Sequence, residues 1–252
     1  MSQKIALITG ASRGLGRSAA LKLASQGVDV ILTYHSQADA AAEVVAEIEQ
    51  RGARAVALRL DVSNSASFTA FALQLREQLQ SLWQRDSFDF LVNNAGVGVH
   101  AGFADTSEQQ FDQLMNLHFK GVFFLTQALL PLLADGGRIV NVSSGLTRFA
   151  LPGFAAYAAM KGAIEVLTKY LAKELGARGI AVNVLAPGAI ATDFGGGAVR
   201  DNPEMNAHIA AQTALGRVGQ PDDIGGAIAA LLSDDSRWVN AQRIEVSGGM
   251  FV

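Results

Sequence analysis

Apolar residues in this chain gather into short unbroken runs separated by longer amphipathic stretches, and the alternation holds from residue 4 to residue 246. Apolar runs of about four to eight residues bounded by Gly, Asp or Asn read as strands buried on both faces. They fall at 4–9, 28–34, 53–60, 88–92, 137–142, 180–185 and 243–246. Between them, helical spacing predicts helices over 17–26, 39–50, 65–83, 108–133, 155–177 and 221–232. Strands joined by helix-length crossovers are parallel, and right-handed crossovers lay helices on both faces. The expected fold is a single Rossmann-type, doubly wound α/β domain over residues 1–252, with a seven-stranded parallel sheet. One stretch breaks the pattern. From Pro187 to Thr213 there are three consecutive glycines, Gly195 to Gly197, and only scattered apolar anchors at Phe194, Val199, Met205 and Ile209. Such length without a periodic pattern predicts a substrate lid at about 189–213.

Composition narrows the class. Of 252 residues, 50% are hydrophobic and 17% charged, enough for a core on both faces of a sheet. The net charge of -3, with Lys and Arg dispersed, argues against nucleic acid or an anionic membrane surface as partner. No apolar run approaches the roughly 18 residues of a membrane span, and the first residues enter a strand without a leader pattern. A cytoplasmic protein is expected. With no cysteine, thiolate catalysis and disulfides are excluded, and no ligand cluster suggests a metal.

In a doubly wound sheet, ligands bind beyond the carboxyl ends of the strands. Gly10, Gly14 and Gly16, with Ser12, Arg13 and Leu15 between them, form a strand-to-helix turn suited to a pyrophosphate on the helix N-terminus. The second strand ends in Tyr34, His35 and Ser36, with no acid to repel a ribose 2'-phosphate. Arg13 supplies a guanidinium fork, so NADP(H) is preferred over NAD(H). Asp61, followed by Val62, ends the third strand and either meets an adenine amino group or caps the next helix. Asn93, Asn94, Ala95 and Gly96 form a turn or a floor beneath the adenosine ribose.

Tyr157 and Lys161 stand four residues apart, one turn on a single helix face. At roughly 4 Å and an effective dielectric near 20, that ammonium would lower a phenol pKa by about three units. Ser144, just past the fifth strand, reaches the same crevice. It lacks a base partner for hydrolase chemistry: His35 belongs with the phosphate turn, His118 with a helix, His208 with the lid, while His100 lines a loop.

T-G-A-S-R-G-L-G at 9–16, N-N-A-G at 93–96, Asn116, Ser144, Y-x-x-x-K at 157–161 and P-G-A-I-A-T at 187–192 together resemble the short-chain dehydrogenase/reductase superfamily. The resemblance runs from residue 4 to about 249 and is nearest to NADPH-dependent carbonyl reductases of the 3-oxoacyl-carrier-protein reductase type. It implies that Tyr157 is the general acid/base, that Lys161 lowers its pKa and holds the nicotinamide ribose, and that Ser144 orients the carbonyl. Asn116 would hold a water linking Lys161 to solvent. Pro187, Gly188, Ile190 and Thr192 would hold the carboxamide, and the assembly would be a homotetramer. The expected activity is reversible reduction of a ketone or 3-oxoacyl carbonyl to a secondary alcohol. Apolar residues in the flanking loops (Val97, Phe103, Leu146, Phe149, Leu151, Phe154) favour a small hydrophobic carbonyl. A 3-oxoacyl-carrier-protein reductase is the alternative, with Arg138 and Arg178 as the cations that keep it open. A non-catalytic NADP-binding regulator is the alternative of another class.

Overall fold

Buried apolar runs come together in the computed structural model, which describes residues 3–252, as strands β1 (Ile5–Ile8), β2 (Asp29–Tyr34), β3 (Ala55–Arg59), β4 (Phe88–Asn93), β5 (Leu133–Val142), β6 (Ala181–Pro187) and β7 (Arg243–Val246). They form one parallel seven-stranded sheet in the order β3-β2-β1-β4-β5-β6-β7. Every residue of β1, β4 and β6 is buried, as unalternating apolar strands require. The order reverses direction at β1, whose neighbours are β2 and β4. Chain segments leaving the carboxyl ends of β1 and β4 therefore diverge and open a crevice there.

The helices are α1 (Gly14–Ala24), α2 (Ala38–Gln50), α3 (Phe68–Gln78), α4 (Glu108–Met115), α5 (Gly121–Leu129), α6 (Ala155–Glu174), α7 (Ala198–Asp201), α8 (Pro203–Ala211) and α9 (Pro221–Leu232). Spacing decides which face each one buries. In α2, Ala41, Val44 and Ile48 point inward while Glu43 and Glu49 remain exposed. With α1 and α9, α2 covers one face of the sheet. On the other face α3, α5 and α6 bury Phe71, Leu75, Leu125, Leu129 and Ala172 against Leu7, Leu91 and Val182.

Two expectations are corrected. The 108–133 stretch is not one helix: a π turn, Asn116–Lys120, separates α4 from α5, and a 3-10 turn with Pro131 follows. A π turn carries an extra residue, which rotates the positions after it. Proline then ends the helix, so β5 begins at Leu133, ahead of Gly137. The 187–213 stretch is also more regular than its composition suggests. Asn202 caps α8 by accepting the Met205 N–H at 3.0 Å, and Pro203 takes the first helical position. Gly195, Gly196 and Gly197 all have positive φ (62°, 74° and 79°), a conformation that costs other residues strain.

Buried polar groups are clasped by residues distant in sequence. Asp29 accepts the Trp83 indole N–H at 2.7 Å and the Arg54 backbone N–H at 2.7 Å. Under the crevice, the Asn93 amide donates to Asn141 at 2.8 Å and to Thr126 at 3.1 Å, and Asn141 donates to Thr168 at 2.9 Å. That ladder ties β4 and β5 to α5 and α6. Trp238, by contrast, stands 95% exposed ahead of β7. Among the described residues no helix is long and apolar enough to cross a membrane, and no group of His, Asp and Glu is placed to hold a metal ion.

Candidate active site

The glycine turn between β1 and α1 is stitched to the end of β4. Asn94 donates its side-chain amide to the carbonyls of Thr9 and Gly10 at 2.9 and 3.1 Å, and Thr9 Oγ1 accepts the backbone N–H groups of Asn94 and Ala95 at 3.0 Å each. A side chain at Gly16 would stand 2.6 Å from both the Asn94 amide and the Gly10 carbonyl, so only glycine permits this approach. Arg13 precedes α1 in an extended conformation without a side-chain cap, and no acid occupies the first turn. The leading N–H groups of α1 are thus left to receive an anion, which fits a pyrophosphate. The sequence places Asn94 in the Asn93–Gly96 turn but gives no sign of its tie to the glycine turn, which depends on the β1–β4 adjacency.

At the end of β2, the exposed His35 and Ser36 follow Tyr34. Arg59 donates its Nε–H to the His35 carbonyl at 3.2 Å, bringing to this corner a second cation that sequence reasoning missed. The pairing of Tyr34 with Arg59 across β2 and β3 is the register that places it. Asp61 accepts from Ser63 N–H and Oγ–H at 2.9 and 2.6 Å, and its other oxygen lies 3.8 Å from His35 Nε2. Partial burial raises the Asp61 carboxyl, but the Ser63 hydrogen bonds and the nearby His35 and Arg59 outweigh it and hold it below 3.8. Arg13 Nη1 lies 3.8 Å from Asp193, which also pairs with Arg200.

Tyr157 and Lys161 project from the buried face of α6 at 7% and 5% exposure. Lys161 Nζ donates to the Val142 carbonyl at 2.8 Å, at the carboxyl end of β5, and burial pushes the ammonium down to about 8. It stays largely protonated at neutral pH. Sequence spacing led to the expectation of an acidified phenol; the structure shows the reverse. Burial pushes the Tyr157 hydroxyl well above its ordinary 10.0, and the facing Ser144 hydroxyl only opposes this. The Lys161 ammonium is turned to the β5 carbonyl, 5.7 Å from the centre of the Tyr157 ring. Leu114, Met160, Val99 and Leu146 pack around the phenol, His118 meets its ring at 5.2 Å, and Phe194 adds a further side at 5.8 Å between ring centres, itself resting on Gly98, where a Cβ would come within 2.8 Å of it.

Ser144 is held by its neighbours. Glu165 on α6 accepts from Ser143 Oγ at 2.8 Å, Thr147 Oγ1 at 2.6 Å and Arg243 Nε at 2.8 Å, and Thr147 also donates to the Ser144 carbonyl at 2.9 Å. None of these four was singled out from sequence, because each acts through another. Asn116 opens the π turn at the α4–α5 junction. Pro187 ends β6, Gly188 packs on Ser247, Ile190 pairs with Gly219, and Thr192 Oγ1 accepts the Phe194 N–H at 3.2 Å while its side chain lies across from Gly14. Val62 is buried beside Gly121.

This crevice has close counterparts. Residues 10–251 match a family model described as enoyl-(acyl-carrier-protein) reductase. A 3-oxoacyl-[acyl-carrier-protein] reductase of Staphylococcus aureus is 38% identical over 251 residues, covering 99% of this chain and 98% of its own. Among solved structures, LugOII, a promiscuous reductase catalysing keto-reduction at C1 during lugdunomycin biosynthesis, superposes with a TM-score of 0.94 at 39% identity over 100% of this chain and 99% of its own. The angucycline C-6 ketoreductase LanV with bound NADP gives 0.93 at 38% identity over 98% and 95%. The chain belongs to the short-chain dehydrogenase/reductase family and is an oxidoreductase.

Proposed function

We propose that this protein is an NADPH-dependent reductase of hydrophobic ketones, working reversibly between carbonyl and secondary alcohol. The carrying observation is the convergence of the Ser144 and Tyr157 hydroxyls beside a charged Lys161, at the end of the crevice opposite the uncapped head of α1. When bound, NADPH supplies the hydride to the carbonyl carbon. Negative charge then grows on the carbonyl oxygen, where Ser144 Oγ donates a hydrogen bond and Tyr157 delivers its proton. At neutral pH the phenol carries its proton, the form a donor needs. Lys161 and Asn116 would return the proton from solvent.

For the cofactor, Gly10, Ser12, Gly14, Leu15 and Gly16 would hold the pyrophosphate, and Arg13, Tyr34, His35 and Ser36, joined by Arg59, the 2'-phosphate end. Asp61 and Val62 would meet the adenine, and Asn93, Ala95 and Gly96 a ribose. Tyr157 and Lys161 would meet the nicotinamide ribose, and Pro187, Gly188, Ile190 and Thr192 the carboxamide. Segment 189–213, with Phe194 seated over Tyr157, would serve as the lid of a single domain.

The two cations that kept a carrier-protein substrate open are both engaged within the chain. Arg178 pairs with Asp135 at 2.7 Å, and buried Arg138 with Asp234 at 3.1 Å. That supports a small-molecule carbonyl. A homotetramer in the cytoplasm is part of the same proposal; Phe111, Phe123, Phe124, Val166 and Tyr170, left exposed on α4, α5 and α6, support self-association. The test is NADPH absorbance loss, with NADH in parallel, against a panel of aliphatic and aromatic ketones and a 3-oxoacyl thioester. Turnover with a hydrophobic ketone and preference for NADPH are expected; cofactor binding with no turnover on any carbonyl would leave a regulator instead.

A further inference from the structure

Of the four histidines only His118 is buried, at 1% exposure, on the π turn between α4 and α5. Its Nε2 lies 2.8 Å from the Val97 carbonyl, on the backbone immediately after Gly96. Its ring meets Tyr157 edge-on, with centres 5.2 Å apart and planes at 86°. The approach depends on Gly96, where a Cβ would stand 2.8 Å from His118 Cε1. Burial and then the charge of Lys161 push the imidazole down to about 3, so the ring is neutral. Nε2 faces both the Val97 carbonyl at 2.8 Å and the Val97 N–H at 3.3 Å, and the shorter contact assigns its hydrogen to the carbonyl. The other ring nitrogen, Nδ1, is then a buried acceptor without a partner. An unpartnered buried acceptor is unfavourable, and a Phe or Leu would fill the space without one. What the histidine adds over those side chains is therefore the Nε2–H bond to Val97.

We propose that His118 is a positioning residue for the reaction. Through Val97 it fixes the Gly96 turn that would floor a cofactor ribose, and through its ring edge it fixes the direction of the Tyr157 phenol, so one side chain sets the spacing between cofactor and proton donor. The inference rests on the reading of Tyr157 as proton donor. The π turn is what allows it: its extra residue turns His118 inward, between the end of β4 and α6.

The two contacts can be removed separately. His118→Phe keeps an aromatic edge on Tyr157 and loses the N–H; His118→Gln keeps an N–H donor at similar reach and loses the ring. NADPH dissociation constants come from fluorescence titration, kcat and its pH profile from ketone reduction at saturating NADPH, and thermal melting checks folding. The Phe variant is expected to weaken NADPH binding about tenfold with kcat within about threefold of wild type. The Gln variant is expected to bind NADPH within about twofold of wild type while kcat falls about tenfold and its pH profile shifts. This opposed split supports the proposal, and a purely structural role would not produce it. Folded variants that lose binding and kcat together, or neither, overturn it; if the Phe variant does not fold, the Gln variant decides alone by its split. Because binding is read without turnover, failure of the reductase reading would show separately, as a wild type that binds NADPH and reduces nothing.

Discussion

Tyr157 and Lys161 illustrate how far spacing alone carries. Four residues on a helix put both groups on one buried face, and that much is visible in the sequence. The state of the phenol is not, because it depends on burial by side chains from distant segments, Leu114, Val99, Leu146 and Phe194 among them, and on a β5 carbonyl that captures the ammonium. Under the proposed roles, Tyr157→Phe should cut kcat about a thousandfold while NADPH titration stays near wild type. Ser144→Ala should cost about a hundredfold in kcat by removing one donor to the developing oxyanion. Near-wild-type turnover in either variant would dismiss that residue's role. Arg59 is the cation the sequence concealed, since only the β2–β3 register brings it to His35. Arg59→Ala should weaken NADPH about tenfold and leave NADH unchanged in the same titration.

At the scale of elements, strands and the α2, α6 and α9 helices follow directly from apolar periodicity. Where the reading failed, the local signal was real but short. Asn202-Pro203 is a cap followed by a first-turn proline, yet α8 carries no buried apolar residue to mark it. The π turn at Asn116–Lys120 has no compositional mark at all; it is stabilised by what its side chains reach across the crevice. The proposed lid segment meets the body of the domain through Phe194 on Gly98, so Gly98→Ala should unseat it. The expected result is faster limited tryptic cleavage after the exposed Arg200, with unchanged melting temperature; equal cleavage rates would show that Phe194 does not hold the segment.

For the whole molecule, the buried imidazole ties stability to pH. The unfolded chain takes up a proton near 6.5, whereas folded His118 does so only near 3. Folding thus excludes a proton, and stability falls as pH drops from about 6.5 toward 3. Glu245 and Asp223, both lowered to about 2 by their arginine partners, begin to lose their contribution only below their ordinary values of 4.5 and 3.8. The decline between 6.5 and 4.5 therefore belongs to His118. Melting temperatures over that interval should fall for the wild type and flatten in His118→Phe; parallel slopes would contradict the assignment.

The two tryptophans occupy opposite extremes. Trp83 is buried with its indole bonded to Asp29 beneath the β2–β3 edge, and Trp238 stands in solvent beside the edge strand β7. Their emission should separate under a water-borne quencher such as iodide, Trp238 losing intensity at once and Trp83 only when its edge of the sheet opens. An unlabelled chain thereby carries two optical reporters. One registers local melting, and the other registers any subunit that comes to cover the β7 edge.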